Sequence, residues 1–180
     1  MTENQKQIIL DMIVEIPKNT SVKYEFDDKI AMMRCDRFLS TNMTYPGNYG
    51  YIPETLGGDG DPLDILLISD YALVPGIIIQ VKVLGYLETR DEKGNDEKLI
   101  AVPSDKVDLS SKQKNELKDL GETTLDKIKH FFEHYKENDK GKWVITDKFK
   151  GIAPSIELIK KCKNEFNLLD TNVINSIPEE

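Results

Sequence analysis

Three carboxylates, Asp59, Asp61 and Asp64, lie within the stretch Gly57-Gly58-Asp59-Gly60-Asp61-Pro62-Leu63-Asp64. Glycines let this backbone turn sharply and Pro62 then stiffens it. The apolar run Ile65-Leu66-Leu67-Ile68 follows at once and reads as a buried strand, so Asp64 stands where a rigid element begins. Carboxylates this close repel one another, and a cation among them relieves the repulsion. A donor set made only of oxygen suits a hard ion, Mg²⁺ or Mn²⁺ before Zn²⁺. Taken alone, the stretch is equally readable as a solvated acidic turn.

Other residues with chemical reach are scattered along the chain. Glu15 interrupts the β-branched run Ile8–Pro17, where an edge strand with one wet face would also place it. In Val22-Lys23-Tyr24-Glu25-Phe26 the alternation puts Lys23 and Glu25 on one side and the apolar residues on the inward side. Arg37, in Asp36-Arg37-Phe38, offers a planar fork of donors suited to phosphate oxygens. Tyr45, Tyr49 and Tyr51 crowd an irregular segment, where phenol hydroxyls serve a ligand or a carboxylate better than a core. Asp91-Glu92-Lys93-Gly94-Asn95-Asp96-Glu97-Lys98 forms a second charged knot, which a plain hairpin tip would also explain. His130 and His134 are four apart on a helical pattern; with no third ligand near, a surface or interface role is expected.

The elements that must position these groups are short. Strands are expected at 8–17 and 22–26, as a pair within 30–38, at 65–68 and 77–87, at 99–103, and from Lys140 to Ile145. Residues 104–122 read as a loop with one helical turn. Leu125, Ile128, Phe131, Phe132 and Tyr135 fall at helical spacing, and Pro154 opens a last helix with Ile156, Ile159, Lys163 and Phe166 on one side. The residues from about 168 onward read as a loosely held tail. Strands preceding helices make a small β-barrel with helices packed outside, mainly β with α, in a single domain over 1–180.

Composition narrows the function. The formal net charge of −8 argues against a surface that grips nucleic-acid phosphates. No apolar run is long enough for a membrane helix, and the N-terminus lacks a signal pattern, so no membrane partner and a cytoplasmic location are expected. Cys35 and Cys162 fit no metal or redox spacing.

Together these motifs resemble the soluble inorganic pyrophosphatases of family I, in their compact bacterial form. The resemblance rests first on Asp59-Gly60-Asp61-Pro62-Leu63-Asp64. It is extended by Val14-Glu15-Ile16-Pro17, Lys23-Tyr24-Glu25, Asp36-Arg37-Phe38, Tyr45-Pro46, Asn48-Tyr49-Gly50-Tyr51, the Asp91–Lys98 knot and His130–Lys136. It runs from about Glu15 to Trp143, in order. Residues 104–122, Phe149 and the segment after Leu168 depart from the family pattern.

The resemblance implies a five-stranded barrel of OB type with outer helices, and hydrolysis of pyrophosphate to two orthophosphates. Several Mg²⁺ ions, with Mn²⁺ or Zn²⁺ as substitutes, would be bound by Asp59, Asp64, Asp91 and Asp96. Glu15 and Glu25 would hold further metal or its water. Lys23, Arg37, Tyr49, Lys98, Tyr135 and Lys136 would hold phosphate oxygens. Asp61 would accept the proton of the attacking water, whose pKa two metals sharing Asp64 would bring down toward about 7. Tyr45 and Glu92 would support the site. The resemblance also implies a homohexamer, with the 125–136 helix available to its interface.

Eight acidic residues against four basic ones make little sense for an empty anion pocket, and good sense if divalent cations complete it. An EF-hand is excluded, because Leu63 falls at a ligand position and Asp64 where that loop requires glycine. A nucleotide hydrolase lacks its phosphate-binding glycine loop. An OB-type single-strand nucleic-acid binder without catalysis remains as the alternative, against the acidic balance.

Overall fold

The computed structural model describes residues 7–175, with side chains of the last helix described as far as Leu169. Strands β1 (Ile8–Ile16), β4 (Asn48–Tyr51), β5 (Asp64–Leu67), β8 (Lys98–Pro103) and β6 (Ile78–Asp91) pair in that order, and β6 pairs back to β1. Five strands thus close into a ring, the mainly β architecture with outer helices that the sequence led us to expect. Only β5–β8 is parallel; the other ring pairings are antiparallel. Beyond the ring, β6 also pairs with β7 (Gly94–Asn95) and β9 (Val144–Lys150), while β2 (Val22–Asp27) and β3 (Met32–Phe38) form a separate hairpin.

Strands β5 and β8 read as continuous apolar runs because both of their faces are covered. Ile65 and Leu67 of β5, with Leu99 and Ala101 of β8, belong to a core cluster shared with Ile159 and Cys162 of helix α2 (Ile152–Asn175). The intervening Leu66, Ile100 and Val102 belong to a second cluster with Ile128, Phe131 and Phe132 of helix α1 (Glu122–His134). Period-two alternation therefore sends successive side chains to two different helices. No helix among the described residues is long and apolar enough to cross a membrane.

Several boundaries differ from expectation. Residues 32–38 form one strand, not a pair, and its partner strand buries Val22, Tyr24 and Phe26 only partly, because this hairpin lies outside the ring. The last strand starts at Val144 and runs to Lys150 against β6. Helix α2 begins at Ile152, so Pro154 sits in its first turn, where a missing N–H costs nothing. Its buried positions are Ser155, Ile159 and Cys162, whereas Lys163 is exposed. The helix continues through Asn175; residues 176–180 of the expected tail lie outside the described residues. Glu15 is not on an edge strand, since β1 is paired on both sides.

Segment 104–122 holds two 3-10 turns, Leu109–Gln113 and Leu117–Leu120, rather than one helical turn. Their anchor is Lys82 of β6. Its ammonium is 1% exposed and donates to Asp105 (2.6 Å) and to the Ser111 carbonyl (2.8 Å).

Candidate active site

A β-bulge opens the site. In the β1–β4 register Val14 faces Gly50 and Ile16 faces Tyr49, which leaves Glu15 as the extra residue. The approach is close enough that a Cβ on Gly50 would meet the Ile13 carbonyl oxygen at 1.9 Å, so glycine is required there. Glu15 accepts the Phe26 N–H (2.8 Å), tying the ring to the β2–β3 hairpin. On that hairpin Lys23 pairs in register with Arg37. Lys23 also bonds Glu25, on the same side as the alternation implied, and reaches Asp36 at 3.3 Å.

The acidic loop before β5 is pinned from below. The Thr55 hydroxyl accepts the Leu63 N–H (2.9 Å), and Gly57 N–H donates to the Asp61 carbonyl (2.7 Å). The Cys162 carbonyl of α2 accepts from Leu56 (2.9 Å), so the last helix backs this loop. Asp59 accepts the Asp61 N–H (3.1 Å) and holds the turn. Asp64 opens β5 beside Lys98, its register partner on β8. Asn48 has a purely structural part: its amide oxygen accepts from Lys18 (3.0 Å) and Leu73 (2.8 Å).

All fifteen candidate residues line one cavity of about 680 Å³: Glu15, Lys23, Glu25, Arg37, Tyr45, Tyr49, Asp59, Asp61, Asp64, Asp91, Glu92, Asp96, Lys98, Tyr135 and Lys136. Lys98, 2% exposed, bridges Asp64 (2.5 Å) and Asp96, and the Tyr49 hydroxyl donates to the same Asp64 oxygen (2.5 Å). Lys136 donates to Asp91 (2.9 Å) from the C-terminal end of α1. Tyr45 is 1% exposed, with its ring 4.8 Å from Phe131 and 5.5 Å from Tyr49, and so props the wall. His130 and His134 lie outside the cavity with their rings tilted and 4.5 Å apart, and His134 is near Glu137 (3.1 Å).

Five charged lining residues, Asp28, Asp36, Glu54, Lys93 and Lys142, are not singled out by type and spacing, and three of them pair within the site. Asp36 accepts from Arg37 (3.0 Å), Lys142 pairs with Glu92 (2.7 Å), and Lys93 pairs with Asp61 (2.9 Å). All three stood inside the quoted motifs or beside them. Nothing in the spacing says which of several neighbouring lysines turns inward.

The electrostatics are those of a crowded acidic pocket. Burial, then the charge of Asp64, pushes the Glu15 carboxyl up to about 7, although the Phe26 N–H pulls the other way. Burial also raises Asp96, assisted by Asp64 and opposed by Lys98. Asp59 is raised by burial and by Asp61 and Asp64. Burial alone would discharge Lys98, but Asp64 and Asp96 outweigh it and hold the ammonium above its ordinary range. Asp91 goes down despite burial, because Lys136 and the Lys93 N–H bond its carboxylate. Tyr49 is pushed well above the usual phenol range by burial and Asp64, so it stays a neutral donor.

A raised carboxyl pKa means that the folded state holds its proton more tightly than the unfolded chain does. Stability of the metal-free protein is therefore expected to fall as pH rises from about 4.5 to about 7, by up to about 3 kcal/mol from Glu15. Thermal melts in chelator across that window check this, and Glu15→Gln should flatten the decline. A melting temperature that stays level in wild-type protein would contradict it.

Eleven carboxylates and six cationic side chains line the cavity, so lysine and arginine leave it short of positive charge. Among the described residues no group of three His, Cys, Asp or Glu side chains is poised to hold a metal ion; lysines occupy the carboxylates instead. The donor set, all oxygen and partly driven to protonate by its own crowding, fits a hard divalent cation.

Comparison with known proteins places the chain in a family. The family model described as inorganic pyrophosphatase matches residues 12–167. The inorganic pyrophosphatase of Saccharolobus solfataricus is 47% identical over 152 residues, covering 84% of this chain and 88% of that one. That of Aquifex pyrophilus is 47% identical over 150 residues, covering 83% and 85%. Among solved structures, the Helicobacter pylori inorganic pyrophosphatase superposes with a TM-score of 0.86 at 39% identity, covering 92% of this chain and 99% of that one. The Thermus thermophilus enzyme gives 0.84 at 36% identity, covering 92% and 95%. With a family match along most of its length and relatives near half identity, this chain belongs to the inorganic pyrophosphatase family.

Proposed function

We propose that this protein hydrolyses inorganic pyrophosphate to two orthophosphates with the help of divalent metal ions, Mg²⁺ foremost. The observation that carries this reading is the single cavity in which eleven carboxylates face six cationic side chains. Membership of the family supports the substrate. Asp59, Asp64, Asp91 and Asp96 would hold the ions, with Glu15 and Glu25 completing the acidic wall. Bound there, such ions would supply positive charge to the phosphate oxygens and acidity to water.

This chain's own groups divide the remaining work. Lys23 and Arg37 sit together on one hairpin and face a polyanion as paired donors. Arg37 Nε is buried with no hydrogen-bond partner among the described residues and lies 3.7 Å from Asp139, so a donor waits there for an acceptor. Lys98, Tyr49, Tyr135 and Lys136 line the other side and would offset charge on the leaving phosphate. Asp61 is more than half exposed, and Lys93, which pairs with it, is more than half exposed too, so water can reach this carboxylate and hand it a proton. The oxygen of water bonds to one phosphorus while the bridging P–O bond breaks. The electron pair leaves on the second phosphate, and the proton passes to the Asp61 carboxylate.

A nucleotide-hydrolase reading is separated by measuring phosphate release from pyrophosphate and from ATP in parallel with Mg²⁺. Pyrophosphate is expected to react faster by about 100-fold or more, in keeping with the family to which the chain belongs. Faster release from ATP would overturn the assignment. A nucleic-acid-binding reading gains nothing from an acidic cavity.

A further inference from the structure

Two cavity lysines, Lys93 and Lys142, have no part in the chemistry proposed above, and one of them rests on the proton acceptor. Lys93 sits in the turn between β6 and β7. Its N–H donates to Asp91 Oδ1 (2.8 Å), and Gly94, at φ 139°, carries the chain back into β7. The facing acidic loop touches this turn backbone to backbone. A Cβ on Gly58 would lie 3.2 Å from the Asn95 Cβ, and a Cβ on Gly94 would lie 3.3 Å from the Gly58 carbonyl oxygen. The placement of Lys93 over Asp61 follows from that close contact between loops. Its Nζ lies 2.9 Å from Asp61 Oδ2.

Lys98 and Lys136, which also hold aspartates in the cavity, are differently placed. The Lys98 side chain is 2% exposed and lies against the Tyr49 and Phe132 rings, and that of Lys136 is 11% exposed beside Tyr135. Neither leaves without breaking a packed wall. The Lys93 side chain is 54% exposed and its partner 59%, so this ammonium can swing into water at little cost.

We propose that Lys93 is a tethered counter-ion of Asp61: it holds that carboxylate while the pocket is metal-free, yields as divalent ions enter, and thereby sets the metal concentration at which the pocket fills. Lys93 is a positioning residue, acting through Asp61 and the local charge and not on substrate. The proposal rests on the metal-dependent reading given above. A cation that must be displaced, or that repels the incoming ion, weakens apparent metal affinity; removing it strengthens that affinity. An ordinary exposed ion pair would instead leave metal binding unmoved.

The experiment is calorimetric titration of the full chain with Mg²⁺, without substrate, at one pH and low salt. Wild type is compared with Lys93→Met, which keeps the stem and drops the charge, and Lys93→Arg, which keeps the charge. Lys93→Met is expected to fill at about 3- to 10-fold lower Mg²⁺, and Lys93→Arg within about twofold of wild type. High salt should shrink the difference. The same shift should appear in the Mg²⁺ dependence of phosphate release. Equal midpoints for wild type and Lys93→Met, weaker binding by Lys93→Met, or equal shifts in Met and Arg variants would overturn the proposal while leaving the enzyme reading in place. A wild-type protein that takes up no Mg²⁺ would overturn the metal-dependent reading, and the counter-ion role with it.

Discussion

Asp61→Asn should lower turnover by about 10²- to 10⁴-fold, the range a lost general base produces, with little change in Mg²⁺ uptake. The amide keeps the size of the carboxylate and can still accept from Lys93, and the loop is held by bonds that do not use this side chain. Those bonds are Thr55 to Leu63, the Asp59 turn, and the Gly57 N–H on the Asp61 backbone carbonyl. Metal binding would fall to Asp59, Asp64, Asp91 and Asp96, which the substitution leaves untouched. Steady-state phosphate release together with calorimetry separates the effects. Full activity in the variant would remove Asp61 from the proton-accepting role, and loss of metal uptake would recast it as a ligand.

Lys98→Met should have the largest effect on the metal-free fold. This ammonium is shared by Asp64 and Asp96, and removing it leaves Asp96 without its ion pair and Asp64 with the Tyr49 hydroxyl. Breaking a buried ion pair by deleting one partner costs about 3–5 kcal/mol, because the remaining charge stays buried. Urea denaturation in chelator should show a loss of that order, and Mg²⁺ should restore part of it by taking the ammonium's place. Phosphate release at saturating Mg²⁺ should remain impaired, since a phosphate-facing donor is gone. A variant as stable as wild type in chelator would mean that the two aspartates simply protonate, at little cost to the fold.

The parts of the fold legible in the sequence were those written as apolar periodicity. Ile65–Leu67 and Leu99–Val102 read as strands because both faces are covered, and α1 read as a helix because Ile128, Phe131 and Phe132 point one way. Strand β3 differs from the expected pair of short strands because Arg34, Asp36 and Arg37 break any apolar rhythm, and its pairing with β2 lies outside the ring. Segment 104–122 stayed obscure for a different reason. Its organiser, Lys82, is remote in sequence, and a lysine inside a β-branched run looks like a surface charge until three polar groups gather around it. The wet-face alternative for Glu15 failed on strand order, which periodicity cannot supply.

Closely spaced carboxylates and a Tyr-rich irregular segment are chemical statements in themselves, which is why the candidate residues can be named from the sequence. Convergence of all fifteen residues on one cavity agrees with that reading. The pairing inside the cavity was not readable. That Lys98 serves two aspartates, and that Lys93 rather than a neighbouring lysine reaches Asp61, depends on how Gly58 and Gly94 let two loops touch. Contacts of that kind are set by backbone approach, for which a single sequence carries no period.

The most direct test of the central claim is phosphate release from pyrophosphate by the purified protein, first with Mg²⁺, then after excess chelator, then with Mg²⁺ restored. The account predicts rapid release that stops with chelator and resumes with the metal. Folded protein that releases no phosphate with Mg²⁺ present, or that releases it undiminished in chelator, would contradict it.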